Sequence, residues 1–446
     1  MLQSIKSLFN FDPVAMLMLT LILFIGICVA SFSCRYMKGD ARYKIFFFHL
    51  SLLIISTAIM GCADHLLLFF GGWCVSNFLL IKLMIHKSSW KAARYSGLLA
   101  AKNYLLGAVC VGSALVILNF ATDETSIQAL IQHPFQSPMI LPTLLLLLMG
   151  GMTQSAIWPF HRWLISSLNS PTPVSALMHA GLVNGGGFLL ARFAPLYLEQ
   201  PTILNVIFLI GITSAITGTL YKLLQNNIKQ MLAFSTMGQM GFMIAQCGLG
   251  LFPAAIAHLT THGMFKAYLF LASGSAAQEK RYKTPYPPKA SLLISCLICG
   301  LFGSYCFAIT SGKLWLSQDT TLILTVIVFL TASQSAFSIL SVKTKFRVPI
   351  AFIVTSLLCL AYGSIMSLMI KIMEPALLMK PQPLNFLHIA AIILLIISWL
   401  SLPFFPNILK ITPLQSWIRR GYVAALNKSQ PHPKTVTSCR NHYKYL

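Results

Sequence analysis

At 446 residues, 57% apolar and only 9% charged, the chain carries repeated apolar stretches of about twenty residues, each long enough to cross a bilayer core of roughly 30 Å. A soluble fold of this length could not bury that much apolar surface. The formal net charge of +23 would suit a polyanion such as nucleic acid, but the basic residues cluster in alternate connections between apolar stretches, and that placement excludes the reading.

In chain order the stretches predict thirteen spans, at 13–33, 45–63, 65–86, 96–119, 138–158, 172–193, 204–224, 230–249, 252–276, 290–310, 321–341, 348–371 and 384–404. The first is long, lacks a strongly basic start and leads straight into a basic loop, so it reads as a span and not as a cleavable signal. Arg35, Lys38, Arg42 and Lys44 fill the connection after it; Lys82, Lys87, Lys91, Arg94 and Lys102 fill the one after the third span. Further basic residues fall at Arg162, Lys222, Lys229, from Lys280 to Lys289, from Lys343 to Arg347 and beyond Lys410. The opposite connections hold Arg192 and Lys313 beside most of the acids, among them Asp12, Asp64, Asp123 and Glu199. This positive-inside pattern predicts a multi-pass protein of a bacterial inner membrane with the N-terminus outside and the C-terminus cytoplasmic. Residues 1–404 read as one polytopic membrane domain, and 405–446 as a cytoplasmic amphipathic and basic tail with an interfacial helix near 408–425 and a disordered end. Cys296 and Cys299, the one Cys-x-x-Cys, lie in an apolar span without a second pair and read as packing residues; no metal site and no cofactor is expected in the chain.

Two spans are irregular. Segment 169–187, NSPTPVSALMHAGLVNGGG, has Pro171 and Pro173 leading into a helix, His179 one or two turns inside it, and Gly185, Gly186 and Gly187, which permit close helix contact or unwinding. Segment 253–274 places His258, His262 and Lys266 four residues apart, on one face of a helix. Interrupted helices at matching places in two halves are the usual pointer to a transport site built from inverted repeats. An imidazole changes charge near neutral pH, and a lysine in mid-membrane costs about 3 kcal/mol unless it faces a polar interior. The row therefore suits proton or cation movement, with snorkelling of the lysine and interhelical hydrogen bonding by the histidines as the plainer alternatives. Lys222, at one end of its span, is either buried or snorkelling; Gln154, with Thr153 and Ser155, adds polarity to the fifth span; Asp64 and His65 read as a helix-end pair. No Gly-rich phosphate loop and no dinucleotide fingerprint occurs, so energy must come from a gradient or a partner, and no catalytic chemistry of its own is expected.

The runs ADHLLLFFGGW, WPFHRWL with SPTPVSALMHAG, LLQNNIKQMLAFSTMGQMGFM and HLTTHGMFKAYLFLASGS, in that order between Asp64 and Ser275, resemble the antiporter-like membrane subunits shared by respiratory complex I (chain 5), Mrp-type cation/proton antiporters and the inorganic-carbon accumulation complex. The resemblance implies an all-α membrane fold of two inverted five-helix repeats with broken helices, an antiporter-like core over about 64–371, and an ion or proton path through His179, His258, His262 and Lys266, with Lys222 and Gln154 as further members. Cys74 stands where the respiratory branch has a Glu, Gln154 where it has a buried Lys, and Asn227 where it has an Asp. These departures, with PTPVSALMHAGLVNGGGFLLARFAPL, make the chain most similar to the DabB family, the membrane subunit of the carbon-accumulation complex. That similarity implies an ion-gradient-driven subunit, conducting H⁺ or Na⁺, that energises CO₂ or bicarbonate uptake by a large cytoplasmic carbonic-anhydrase-like (DabA-like) partner, which holds the zinc. The alternatives are a subunit of a cation/proton antiporter, the membrane arm of an NADH or ferredoxin–quinone oxidoreductase, or a structural anchor for a soluble partner. A reporter fused to the C-terminus is expected to be active only on the cytoplasmic side; a periplasmic signal refutes the thirteen-span topology.

Overall fold

The computed structural model describes residues 8–132, 138–274, 290–342, 345–374, 376–377, 379–401 and 412–436, so the predicted basic loop 280–289 lies outside the described residues. Those residues form helices and isolated bridges, with no strand among them. The principal helices are α1 (Pro13–Tyr36), α2 (Tyr43–Cys62), α3 (Leu66–Met84), α4 (Lys91–Thr122), α5 (Ile140–Gln154), α6 (Thr172–Ala180), α7 (Gly185–Arg192), α8 (Pro201–Leu223), α9 (Ile228–Gly248), α10 (Phe252–Leu271), α11 (Ala290–Ser311), α12 (Thr321–Leu340), α13 (Arg347–Met373), α14 (Phe386–Ser401) and α15 (Thr412–Lys428).

Each predicted span falls on a helix, the sixth on α6 and α7 together. Among the described residues nine helical stretches, with Thr172–Arg192 taken as one, are long and apolar enough to cross a membrane; α5 and α14 are shorter apolar helices, and α9 and α10 fall outside both sets. Thirteen is thus a count of helical segments, and nine a count of membrane-length apolar ones. The stretch Thr172–Arg192 is 94% buried, against 28–44% for the other eight, which puts it at the centre of the bundle. Side chains such as Phe120, Leu67 and Ile27 point outward, as a lipid-facing surface requires.

Helix ends are fixed by local chemistry. Asp12 caps α1 by accepting from the Ala15 amide at 2.8 Å and pairs with Arg192. Arg192, counted with the basic residues of the connections although the predicted span 172–193 contains it, lies in the last turn of α7 and is buried; the Asp12 carboxylate compensates its charge there. Asp64 accepts from the Gln128 amide and the Ser126 hydroxyl, and His65 accepts from the Leu67 amide at the start of α3, so both act as helix-end residues. Cys296 and Cys299 are buried in α11 and pack with Ala336, Leu340 and Ala351.

The second expected interruption is absent: α10 runs unbroken from Phe252 to Leu271, because its histidines and lysine face neighbouring helices without disturbing its own ladder. The tail differs as well. Its helix matches expectation at Thr412–Lys428, but the next residues, expected to be disordered, dock on the body. The His432 amide donates to the Ser166 hydroxyl at 3.1 Å, Asn169 Nδ2 donates to the Thr435 carbonyl at 2.7 Å, and the His432 ring stacks on Tyr95. Residues 437–446 of that end lie outside the described residues.

The α8–α9 pair packs backbone to backbone. A Cβ at Gly241 would sit 2.5 Å from the Ala215 nitrogen, and one at Gly218 would sit 2.5 Å from the Gly238 nitrogen. Small residues give transmembrane helices this approach. Gly241→Ala is expected to destabilise the protein by about 1–3 kcal/mol through overpacking, read as a lower melting temperature in detergent. Gly71→Ala, where an added Cβ meets nothing within 4 Å, should be close to neutral.

Candidate functional site

The break between α6 and α7 organises the site. Pro171 and Pro173 start α6, where missing amides cost nothing because the first amides of a helix have no intrahelical acceptor. The helix ends at Ala180, Gly181 turns to φ −111° and ψ −75°, and Leu182–Asn184 form one tight 3₁₀ turn before α7. The unwinding therefore precedes Gly185, Gly186 and Gly187, which lie inside α7 and serve close packing. A Cβ at Gly186 would meet the Gly151 carbonyl at 2.2 Å, and one at Gly187 would meet Met243 Sδ at 2.3 Å.

Four carbonyls leave the regular ladder, and each finds a donor. Asn184 Nδ2 donates to Ala180 at 2.7 Å and the Asn184 amide to Gly181 at 3.0 Å, while Gln154 Nε2 donates to Leu182 at 3.2 Å and Ser155 Oγ to Val183 at 2.6 Å. Gln154 also forms a reciprocal amide pair with Asn77 of α3, at 3.0 and 3.1 Å. Its donors and acceptor are thus committed, and it stands apart from the histidines.

On the other side of the break α6 and α10 meet. The four-residue spacing on α10 stacks the rings of His258 and His262, with centroids 6.0 Å apart and planes 16° from parallel. Lys266, one turn on, is only 1% exposed, and its Nζ donates to the Leu232 carbonyl of α9 at 3.2 Å. The same carbonyl accepts from Thr236 Oγ1 at 3.0 Å, and Thr236 Oγ1 lies 3.1 Å from His179 Nδ1. With the one hydroxyl hydrogen of Thr236 directed to Leu232, the bond from His179 is donated by its Nδ1–H. His179 is held from its other face by Phe270, stacked at 4.3 Å. His179, Thr236, the Leu232 carbonyl and Lys266 therefore form one connected line, with His262 and His258 continuing along α10.

Beside that line lies a cavity of about 620 Å³ between α8, α9, α10, α12 and α13. His258, His262 and Lys266 line it, with Gln239 and several hydroxyl side chains. Lys222 lines it too and is half-buried, between the two alternatives posed by the sequence. Cys74 is half-buried and packs on the main apolar core.

Sequence reasoning missed Thr236, the Leu232 carbonyl and Asn77. Nothing local distinguishes Thr236 from the other helical hydroxyls, since its importance comes from facing His179 across two helices. Asn77 did carry a signal, as an amide inside a strongly apolar helix.

The chain matches known proteins over these same regions. A family model described as NADH:quinone oxidoreductase/Mrp antiporter, TM, covers residues 63–295, and one described as NADH-ubiquinone oxidoreductase (complex I), chain 5 N-terminus, covers 3–47. The chain is 37% identical over 297 residues to the probable inorganic carbon transporter subunit DabB1 of Halothiobacillus neapolitanus, covering 64% of this chain and 52% of the relative. It is 35% identical over 294 residues to the probable inorganic carbon transporter subunit DabB of Bacillus subtilis, covering 64% and 57%. With NADH-quinone oxidoreductase subunit L of Escherichia coli the figures are 33% over 273 residues, 59% and 44%. The chain thus spans about half the length of the curated relatives it matches. The Mrp complex from Dietzia sp. DQ12-45-1b shares the fold, with a TM-score of 0.59 at 20% identity, over 95% of this chain and 45% of that one.

Gln154→Leu would strand the buried Asn77 amide and remove one of the two donors to the Leu182 carbonyl, which also accepts from the Gly185 amide, and should cost about 1–3 kcal/mol. The Asn77→Leu, Gln154→Leu double variant should cost less than the sum of the two singles. Unfolding in mixed micelles measures both.

Proposed function

The chain belongs to the NADH:quinone oxidoreductase/Mrp antiporter transmembrane family, and from that premise we propose that it is the ion-conducting membrane subunit of an inorganic-carbon uptake complex. An antiporter-like membrane subunit needs a polar line through an apolar bundle. The connection from His179 through Thr236 and the Leu232 carbonyl to Lys266 supports this reading most directly. In the proposed mechanism His258, His262 and His179 exchange protons by ring rotation, and Lys266 takes and releases a proton where α9 and α10 meet. The Thr236 hydroxyl and the Leu232 carbonyl, which accepts from both Thr236 and Lys266 and carries no proton itself, hold His179 and Lys266 in position. The similarity to DabB-named relatives favours the carbon-uptake role over an oxidoreductase arm, and so does the uncharged amide pair at Gln154 and Asn77.

In this proposal the basic connections face the cytoplasm, where a large carbonic-anhydrase-like subunit docks and holds the zinc, and inward H⁺ or Na⁺ movement energises its hydration of CO₂. The chain itself supplies conduction and coupling. In this proposal the surface where Asn169 binds the docked tail, close to the start of α6, faces the cytoplasm.

The test is co-expression with the candidate zinc subunit in a host lacking carbonic anhydrase, scored as growth in air with and without an uncoupler. Growth should be restored, abolished by the uncoupler, and reduced at least about tenfold in rate of recovery by Lys266→Ala or His262→Ala, the scale of losing one proton-transfer group. Rescue that persists unchanged in both variants sinks the relay.

A further inference from the structure

Lys266 is enclosed, and its Nζ makes one hydrogen bond, to the Leu232 carbonyl. An ammonium carries three N–H donors, so two remain to be met. Among the described residues the ion pairs are Asp12 with Arg192 and Asp40 with His86; neither involves Lys266. An ammonium buried without a counter-charge costs several kcal/mol.

The cavity beside it adds to the imbalance. Among the described residues its wall carries Lys222, His258 and His262 and no Asp or Glu. The Nε2 atoms of His258 and His262 are buried with no hydrogen-bond partner, and both residues are more than nine-tenths enclosed, at 8% and 6% exposure. Hydroxyls of Ser235 and Tyr362 stand on the same wall, while that of Thr261 donates back into its own helix. The volume of about 620 Å³ is far more than one water requires, a share of about 30 Å³ in the liquid. Two lysines with imidazole and hydroxyl donors on the polar part of an otherwise apolar wall, with no carboxylate among the described residues to satisfy them, are the chemistry of an anion site.

We infer that this cavity binds a small inorganic anion of single charge against Lys266, with Lys222, His262 and the wall hydroxyls completing its shell. The anion supplies the counter-charge that the protein omits. This site is independent of the carbon-uptake reading, since it rests on the charge balance of the cavity and holds whichever ion the path conducts and whichever subunit docks. Phe265 and Leu358 on the wall are more than half exposed, so the cavity opens on the flank of the bundle, where a lipid headgroup is the rival occupant. Lys266 lies too deep for a headgroup to be the first choice.

The full chain in detergent is melted at fixed pH and ionic strength while gluconate is replaced stepwise by chloride, or in a second series by bicarbonate. A ligand that binds only the folded state raises its stability with the logarithm of occupancy. The expected result is a melting temperature that rises with at least one of the two ions, with a half-effect concentration that Lys266→Met and Lys222→Gln each increase about tenfold or more. Lys87→Gln, at an exposed turn, should leave it unchanged. Should Lys266→Met fail to fold, Lys222→Gln at the half-buried rim reads the same site. A flat response to both ions, or a rise equal in all variants, overturns the proposal. So does stabilisation by added anionic phospholipid with neither small anion effective. Failure of the growth rescue leaves this measurement untouched, and the reverse holds too.

Discussion

A carbonyl that leaves the helical ladder in mid-bilayer has no water to turn to, and each one left unpaired costs several kcal/mol. The broken stretch between α6 and α7 exists because that requirement is met at all four positions, two from within the turn by Asn184 and two from α5 by Gln154 and Ser155. Everything polar in the centre hangs on this arrangement. It sets where α6 ends, hence where His179 stands, hence which hydroxyl of α9 it meets. Gln154 thereby acquires a role that its position in the family pattern does not suggest, as the donor that holds a kink, locked in place by Asn77.

Much of the fold was legible in the sequence, because a long apolar run in lipid has few alternatives to a helix. A helix stands at each of the thirteen predicted stretches, nine of them of membrane length and apolarity among the described residues. The four-residue spacing of His258, His262 and Lys266 likewise dictates a shared helix face, and the two imidazoles stack along it. What failed did so for tertiary reasons. Arg192 reads as a loop cation until Asp12, 180 residues earlier, is seen to pair with it. Three consecutive glycines leave close contact and unwinding both open; they serve close contact with α5 and α9, and the turn is made by Gly181 to Asn184 just before them. The line through Thr236 was illegible because it joins side chains from three helices through a main-chain oxygen, and no local pattern records that.

The chain's charge is also uneven in depth. The sequence has 9 acids against 32 lysines and arginines; the acids among the described residues lie mainly at helix ends, as caps and as the partner of Arg192, and none of them lines the cavity beside α10. Positive charge within the bundle is therefore balanced by hydrogen bonds to main-chain oxygens, as at Leu232 and, for Lys229 Nζ, at Ser170. Such bonds orient an ammonium but do not cancel its charge, which leaves the interior responsive to whatever small ion enters it.

Gly263 lies between His262 and Lys266, and its Cα presses on the end of α6 so closely that a Cβ there would be 2.7 Å from the Ala180 carbonyl. With backbone against backbone at that point, α10 cannot press closer to α6, and no residue larger than glycine fits at 263 without a shift. Rearrangement of the line from His179 to Lys266 then needs only rotamer exchange of single rings and of one lysine tail, motions far faster than the rocking of whole domains.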